Sequence, residues 1–198
     1  MKIFALLPWA DWLALLAFFG GWMGYAWFAR YWSVRRPSLL ALTNRFRRLW
    51  MLQATSRDPR VLDGFITQSL STSSSFFAST TILIIGGLVA LLGTTDKAAE
   101  FVREIPFAQA TPLLLFEFKI IILLGIFVYA FFRFSWAMRQ YTIVAVVVGA
   151  MPDPKQFERG EFEREPVAER AGKLTGLAAE TFNDGLRAYY FSFAALGW

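Results

Sequence analysis

Histidine and cysteine are both absent from the 198 residues of this chain. That removes the bis-histidine haem, the thiolate or imidazole zinc site, the cysteine-ligated iron–sulfur cluster, the disulfide and the Cys/His catalytic pair. Acidic residues are also outnumbered, with 15 Asp and Glu against 20 Lys and Arg, for a net charge of +5. The carboxylates have no DxDxDG-type spacing, so no calcium or other metal site is expected among them. No GxSxG motif or Gly-rich phosphate loop occurs. A serine hydrolase and a nucleotide-binding enzyme therefore have no visible basis, and no catalytic residue is assigned.

What the chain does have is apolar length. Hydrophobic residues make up 56% of it, including 21 Phe and 8 Trp. A membrane-spanning helix needs about 20 mostly apolar residues. Such stretches run over 9–32, over 66–92 and over 113–138, the last staying apolar to 151, and a fourth begins near 186. Only Lys2 precedes the first stretch as a basic residue and no small-residue cleavage site follows it, so it reads as a retained helix. The chain is thus expected to be an all-α polytopic membrane bundle of about four transmembrane helices in a single membrane domain. The stretch from Leu186 to Trp198 is too short to cross a bilayer, which reads as a fourth span clipped at its C-terminus.

Arginine placement sets the expected orientation. The connection after the first span holds Arg35, Arg36, Arg45, Arg47, Arg48, Arg57 and Arg60 against Asp58 and Asp63. The connection after the second holds Lys97 and Arg103 against Asp96, Glu100 and Glu104. The positive-inside rule puts the first in the cytoplasm and both termini on the opposite side. The net positive charge is then a topology signal, and nucleic acid is not an expected partner. Within that first connection, 37–55 reads as an amphipathic helix at the inner membrane surface. Leu39, Leu42, Phe46, Leu49 and Trp50 recur at helical spacing, and Arg45, Arg47 and Arg48 are placed for lipid headgroups.

Gly64 is expected to break the chain before the second span. Along that span Gln68, Thr72, Ser75, Ser79, Gly86, Ala90 and Gly93 fall on one helical face, with Leu70, Phe77, Ile84 and Leu88 opposite. A small, hydroxylated stripe is the expected helix-packing side and the bulky one the lipid side. Gly20 and Gly24 form a similar small-xxx-small pair on the first span. Trp9, Trp12, Trp32 and Trp136 read as interfacial aromatics. The third span carries Glu117, Lys119 and Arg133, which are costly in hydrocarbon and mark polar, ion or lipid contacts unless they snorkel. Pro152 and Pro154 end it, and 152–182, whose mixed charge is that of a solvated helix or loop, reads as a charged cytoplasmic loop. Asn183, Arg187 and Tyr190 share a face where the fourth span begins.

Three segments, SSSFFASTTILIIGGLVALLG over 73–93, FKIIILLGIFVYAFFRFSWAMRQY over 118–141 and FNDGLRAYYFSFAALGW over 182–198, resemble the DUF599 family of bacterial and plant membrane proteins. The similarity covers nearly the whole chain, and its FFAST and GLRAYYF blocks are its most specific parts. Family members usually continue with hydrophobic residues beyond the position of Trp198. The resemblance implies a four-helix membrane fold and, for a bacterial member, the inner membrane; it carries no catalytic residues.

The composition is compatible with bound lipid, quinone or pigment held among aromatics and selects none of them as a cofactor. The function expected is that of a non-catalytic accessory or structural subunit of a larger membrane complex, with membrane lipids and other membrane subunits as partners. The alternative is a small oligomeric transporter or channel using the polar face of the second span and the charges of the third.

Overall fold

A computed structural model describes residues 9–33, 39–94 and 113–196, and all regular structure among them is helical. The elements are α1 (Trp9–Ser33), α2 (Leu39–Ala54), α3 (Val61–Gly93), α4 (Leu113–Gly149), α5 (Pro154–Glu158) and α6 (Arg164–Leu196). The expected outer connection with Asp96, Lys97, Glu100, Arg103 and Glu104, the arginines 35 and 36, and the end of the chain after 196 lie outside the described residues.

Two of these helices, α3 and α4, are long and apolar enough to cross a membrane. A core helix of a soluble protein could pass the same test, but it would be mostly buried. Here only 11% and 22% of the apolar windows of α3 and α4 are buried inside the chain. Large side chains such as Leu83, Phe76 and Phe132 point outward at 76%, 66% and 64% exposure. Surfaces of that kind demand an apolar solvent, so this is a membrane protein. Its two candidate spans run to 33 and 37 residues, about 50 and 55 Å at the helical rise. A hydrocarbon layer of about 30 Å leaves a long portion of each beyond it. That portion, at the end opposite the 95–112 connection, is termed the base.

Helix α4 is central. It packs α3 on one side and α6 on the other, while α2 packs along the first half of α6. Two clusters fill the interior. The first joins Ala78, Phe127, Ala130, Phe134 and Ala188 within the apolar half. The second, at the base, joins Met51, Ala54, Val144, Val148, Met151, Ala168 and Ala171.

The seam of the bundle is a row of small residues on α6: Ala168, Ala171, Thr175, Ala178, Ala188 and Ser192 are all buried. Glycines mark its closest approaches. A Cβ on Gly172 would lie 3.1 Å from the Arg48 Cα, and one on Gly176 3.2 Å from the Asn44 side chain. Because Arg48 faces Gly172 and Asn44 faces Gly176, α2 runs antiparallel to α6, along the bundle. A Cβ on Gly185 would come within 2.6 Å of the Phe134 ring.

Several boundaries and faces differ from expectation. Gly64 lies inside α3, where its N–H bonds the Arg60 carbonyl at 3.1 Å. Glycine in a helix costs only about 1 kcal/mol, and the anchoring of neighbouring Asp63 exceeds that. The mixed-charge segment is not one loop: from Arg164 it is the first half of α6, because its small residues repeat at helical spacing between the charges. The fourth helix thus starts well before 186. On α3 the buried residues are Asp63, Thr67, Ser74, Ala78 and Thr81, a face about 120° away from the expected small-residue stripe at 100° per residue. Phe77, Ile84 and Leu88, expected toward lipid, pack on the core. An aromatic ring and branched aliphatic chains make more contacts against α4 than glycines would, so the bulky side packs inward.

At the base, arginines do structural work. Arg60 donates to the Ala54 carbonyl through Nε and to Met151 through Nη1, both at 2.9 Å, and also to Pro152. One guanidinium thereby closes the ends of α2 and α4. The Asp63 carboxylate, fully buried, accepts from the Trp50 indole at 2.7 Å and from Arg57 at 2.5 Å. Arg164 donates to the Thr55 carbonyl at 3.3 Å and lies over the Phe157 ring at 5.1 Å.

Gly185→Ala is expected to lower stability by about 1–3 kcal/mol through overpacking against Phe134. Gly86→Ala, whose Cβ meets nothing within 4 Å, should be neutral or stabilising by up to about 1 kcal/mol; thermal melts in mild detergent compare the two. Asp63→Ala strands the Trp50 N–H and the Arg57 guanidinium, the latter still 36% exposed. It should cost about 2 kcal/mol, and Asp63→Asn, which keeps an acceptor for Trp50, less than half of that in the same assay.

Candidate functional site

The polar residues that converge from different helices in the apolar half are Arg133 of α4 with Asp184 and Arg187 of α6. Their meeting follows from the local sequence. Gly185 lets the α6 backbone settle on the Phe134 ring, and the neighbours of those two residues, Asp184 and Arg133, are thereby brought face to face. Arg133 donates through Nη2 to Asp184 Oδ2, and Arg187 donates through Nη1 to Asp184 Oδ1 at 3.0 Å. The side chains of Arg133, Arg187 and Asp184 keep 30%, 26% and 11% of their surface exposed. The Arg133 Nε is buried and bonds nothing.

Depth can be read from the neighbours. About 20 residues counted from Leu113 along α4, or back from Gly93 along α3, end at Phe132 and Ser74. Phe77 stacks on Phe134 with centroids 5.2 Å apart, so these ends lie at one level. The arginine pair therefore sits level with the ends of spans of about 20 residues so counted, next to the rings of Phe77, Phe134, Phe182 and Tyr189. Tyr189 continues the polar link to α3 by sharing a hydrogen bond with Thr81 at 2.7 Å.

The other candidate residues are scattered. Glu117 and Lys119 are half-buried early in α4, and Lys119 lies about 21 Å along the helix from Arg133. Asn183 is half-buried and Tyr190 is 72% exposed. Gln68 bonds Thr72 on its own exposed face at 3.5 Å, Ser75 is half-buried and Ser79 exposed. Gly20, Gly24, Gly86 and Gly93 meet nothing within 4 Å, and Ala90 is exposed. Of the basic residues assigned to headgroups, Arg45 is exposed. Arg47 instead donates to Asn44 at 2.6 Å and Arg48 to Glu165 at 3.0 Å, both within the protein.

Half of the ten hydroxyls of α3 bond a carbonyl of their own helix four residues back. Thr67 bonds the Asp63 carbonyl at 2.8 Å, Ser74 that of Leu70 at 3.3 Å and Thr80 that of Phe76 at 2.9 Å, the i−4 pattern available to any membrane helix. Between α2 and α6 a shallow groove of about 350 Å³ is lined by Asn44, Arg48, Glu169, Lys173 and Glu180. There the hydrogen bond from Lys173 and its charge, helped by Arg48, hold the Glu169 carboxyl below its ordinary pKa. No group of three or more carboxylates able to hold a metal ion occurs among the described residues.

Sequence reasoning missed Asp184, although it stands three residues before Arg187 on a helix and beside a glycine, which is the spacing of an intrahelical ion pair. It also missed the Gly172/Gly176 pair, hidden in a run of charges.

No curated protein and no solved structure matches the chain. A family model described as "Protein of unknown function, DUF599" matches residues 13–198. The match takes in α2 to α6, most of α1 and all three residues of the Arg133 cluster, and the chain belongs to the DUF599 family.

Proposed function

We infer that this protein is a non-catalytic membrane subunit that offers helix faces to a transmembrane helix of a larger complex. A contrast among its glycines carries the reading. Gly172, Gly176 and Gly185 each have a neighbour where a Cβ would stand, whereas Gly20, Gly21, Gly24, Gly86, Gly87 and Gly93 have none within 4 Å. A glycine inside a helix costs up to about 1 kcal/mol relative to alanine. On α6 that cost is offset by close packing; on α1 and α3 nothing among the described residues offsets it. Small residues aligned on an exposed membrane helix suit the close approach of another helix, where lipid tails supply no comparable contact.

The stripe of Gly86, Ala90 and Gly93 on α3 is the docking face in this reading. In this reading the base faces the cytoplasm, which the arginine-rich connection around α2 supports. A transport route would have to run between copies of the chain, since Gln68 and Thr72 face outward.

Gentle solubilisation followed by native electrophoresis and mass spectrometry tests the idea. The protein is expected to migrate within a defined larger assembly. A photocrosslinker at position 90 should join it to a membrane subunit of that assembly. Gly86→Leu should reduce the assembled share at least about fivefold and leave the melting of the isolated chain unchanged, because its side chain enters open space. A lone monomer from native membranes, or full assembly by the Gly86→Leu variant, would overturn the reading.

A further inference from the structure

Two guanidiniums share one carboxylate in the Arg133–Asp184–Arg187 cluster. Among the described residues that leaves one positive charge in excess at the depth where spans of about 20 residues, counted from Leu113 and back from Gly93, end. A bridge built only to fix α4 against α6 needs one arginine, and Arg133 already spans the two helices. Arg187 adds charge from the same helix as Asp184 without adding a link between helices. Each guanidinium has five N–H donors in a planar fork. The described bonds to Asp184 use one donor from Arg133 and one from Arg187. Both side chains remain partly open, at 30% and 26%, and the Arg133 Nε is buried with its proton unassigned. Three residues beyond each arginine on its helix stands an exposed aromatic, Trp136 at 51% and Tyr190 at 72%. Amphipathic rings of this kind settle at the headgroup layer.

We propose that the Arg133–Arg187 pair, brought together on Asp184, binds the phosphate of an anionic phospholipid headgroup through the donors that the carboxylate leaves open. Bidentate arginine forks match a phosphate in geometry, and partial burial keeps the attraction from being fully screened. Trp136 and Tyr190 flank the phosphate level. The site is independent of any helix docked on α3, so it stands or falls separately from the subunit reading.

The test uses the full chain purified in mild non-ionic detergent and titrated with short-chain phosphatidic acid, short-chain phosphatidylcholine and inorganic phosphate, read by the change in tryptophan emission and in melting temperature. Phosphatidic acid is expected to bind at least about tenfold more tightly than phosphatidylcholine, whose choline cancels the charge, and to raise the melting temperature. Inorganic phosphate failing to compete supports a lipid as the source. Equal competition supports the same site with free phosphate as its ligand.

Arg187→Gln keeps the Arg133–Asp184 bridge and so should fold, yet weaken phosphatidic acid binding about tenfold. Asp184→Asn removes the competing carboxylate; it should lower the melting temperature while tightening phosphatidic acid binding. If Arg187→Gln leaves the affinity within twofold, or Asp184→Asn loses affinity in step with stability, the cluster is a structural clamp and the proposal is wrong.

Discussion

The close approach of α6 to its neighbours is the constraint on which the rest of the bundle depends. Its buried row of Ala, Gly, Ser and Thr lets two helices lie against it at once, α2 over the first half and α4 along much of its length. The row works in two solvents. At the base, Met51, Val148 and Met151 are buried away from water and the hydrophobic effect drives packing. In the apolar half lipid is as apolar as leucine, so close van der Waals contact and polar links must hold the helices together. Gly185 serves that second regime. By seating the α6 backbone on Phe134 it creates the contact and also sets Asp184 opposite Arg133.

The base then has to hold four chain segments at ends where helices leave carbonyls unpaired. Arg60 alone answers for Ala54, Met151 and Pro152. Arg57 and Trp50 answer for the buried Asp63, and Arg164 for the Thr55 carbonyl. Arg57 and Arg60 were counted from the sequence as an orientation signal. Their second use is compatible with the first, because an arginine near a helix end can carry charge asymmetry and cap carbonyls together.

The all-α class, the start of α4 at Leu113 and the proline-marked break after it were legible, because apolar run length and proline chemistry are local properties. So were Arg133 and Arg187 as polar residues at helix positions, since charge in an apolar run stands out. Which face of α3 turns inward was not legible. A small-hydroxyl stripe and a bulky stripe are both plausible packing sides, and the choice lies with the neighbour: α4 presents Phe127, Ala130 and Phe134, leaving space that Phe77 and Ile84 fill. The helical character of 164–182 was masked for a different reason. Alternating charge reads as solvated surface, and it is surface; Lys173 and Glu180 are exposed while Thr175, Gly176 and Ala179 between them are buried. Periodicity of size, not of hydrophobicity, carried that signal.

Hydroxyl content was a weak guide to function for the same kind of reason. A polar path needs groups whose hydrogen-bonding capacity is still open, and on α3 the i−4 carbonyls have taken that of Thr67, Ser73, Ser74 and Thr80. Thr81 is different: it reaches out of its helix to Tyr189, a residue one turn beyond Asp184 and Gly185. Thr81, Tyr189, Phe134 and the Arg133–Asp184 pair therefore tie α3, α4 and α6 at neighbouring levels, one polar link on each side of an aromatic layer. Displacing any one of the three helices would break an interhelical bond and unstack a ring together. That coupling gives the apolar half a defined register without any driving force from water, and among the described residues it makes no use of the outward glycine faces of α1 and α3.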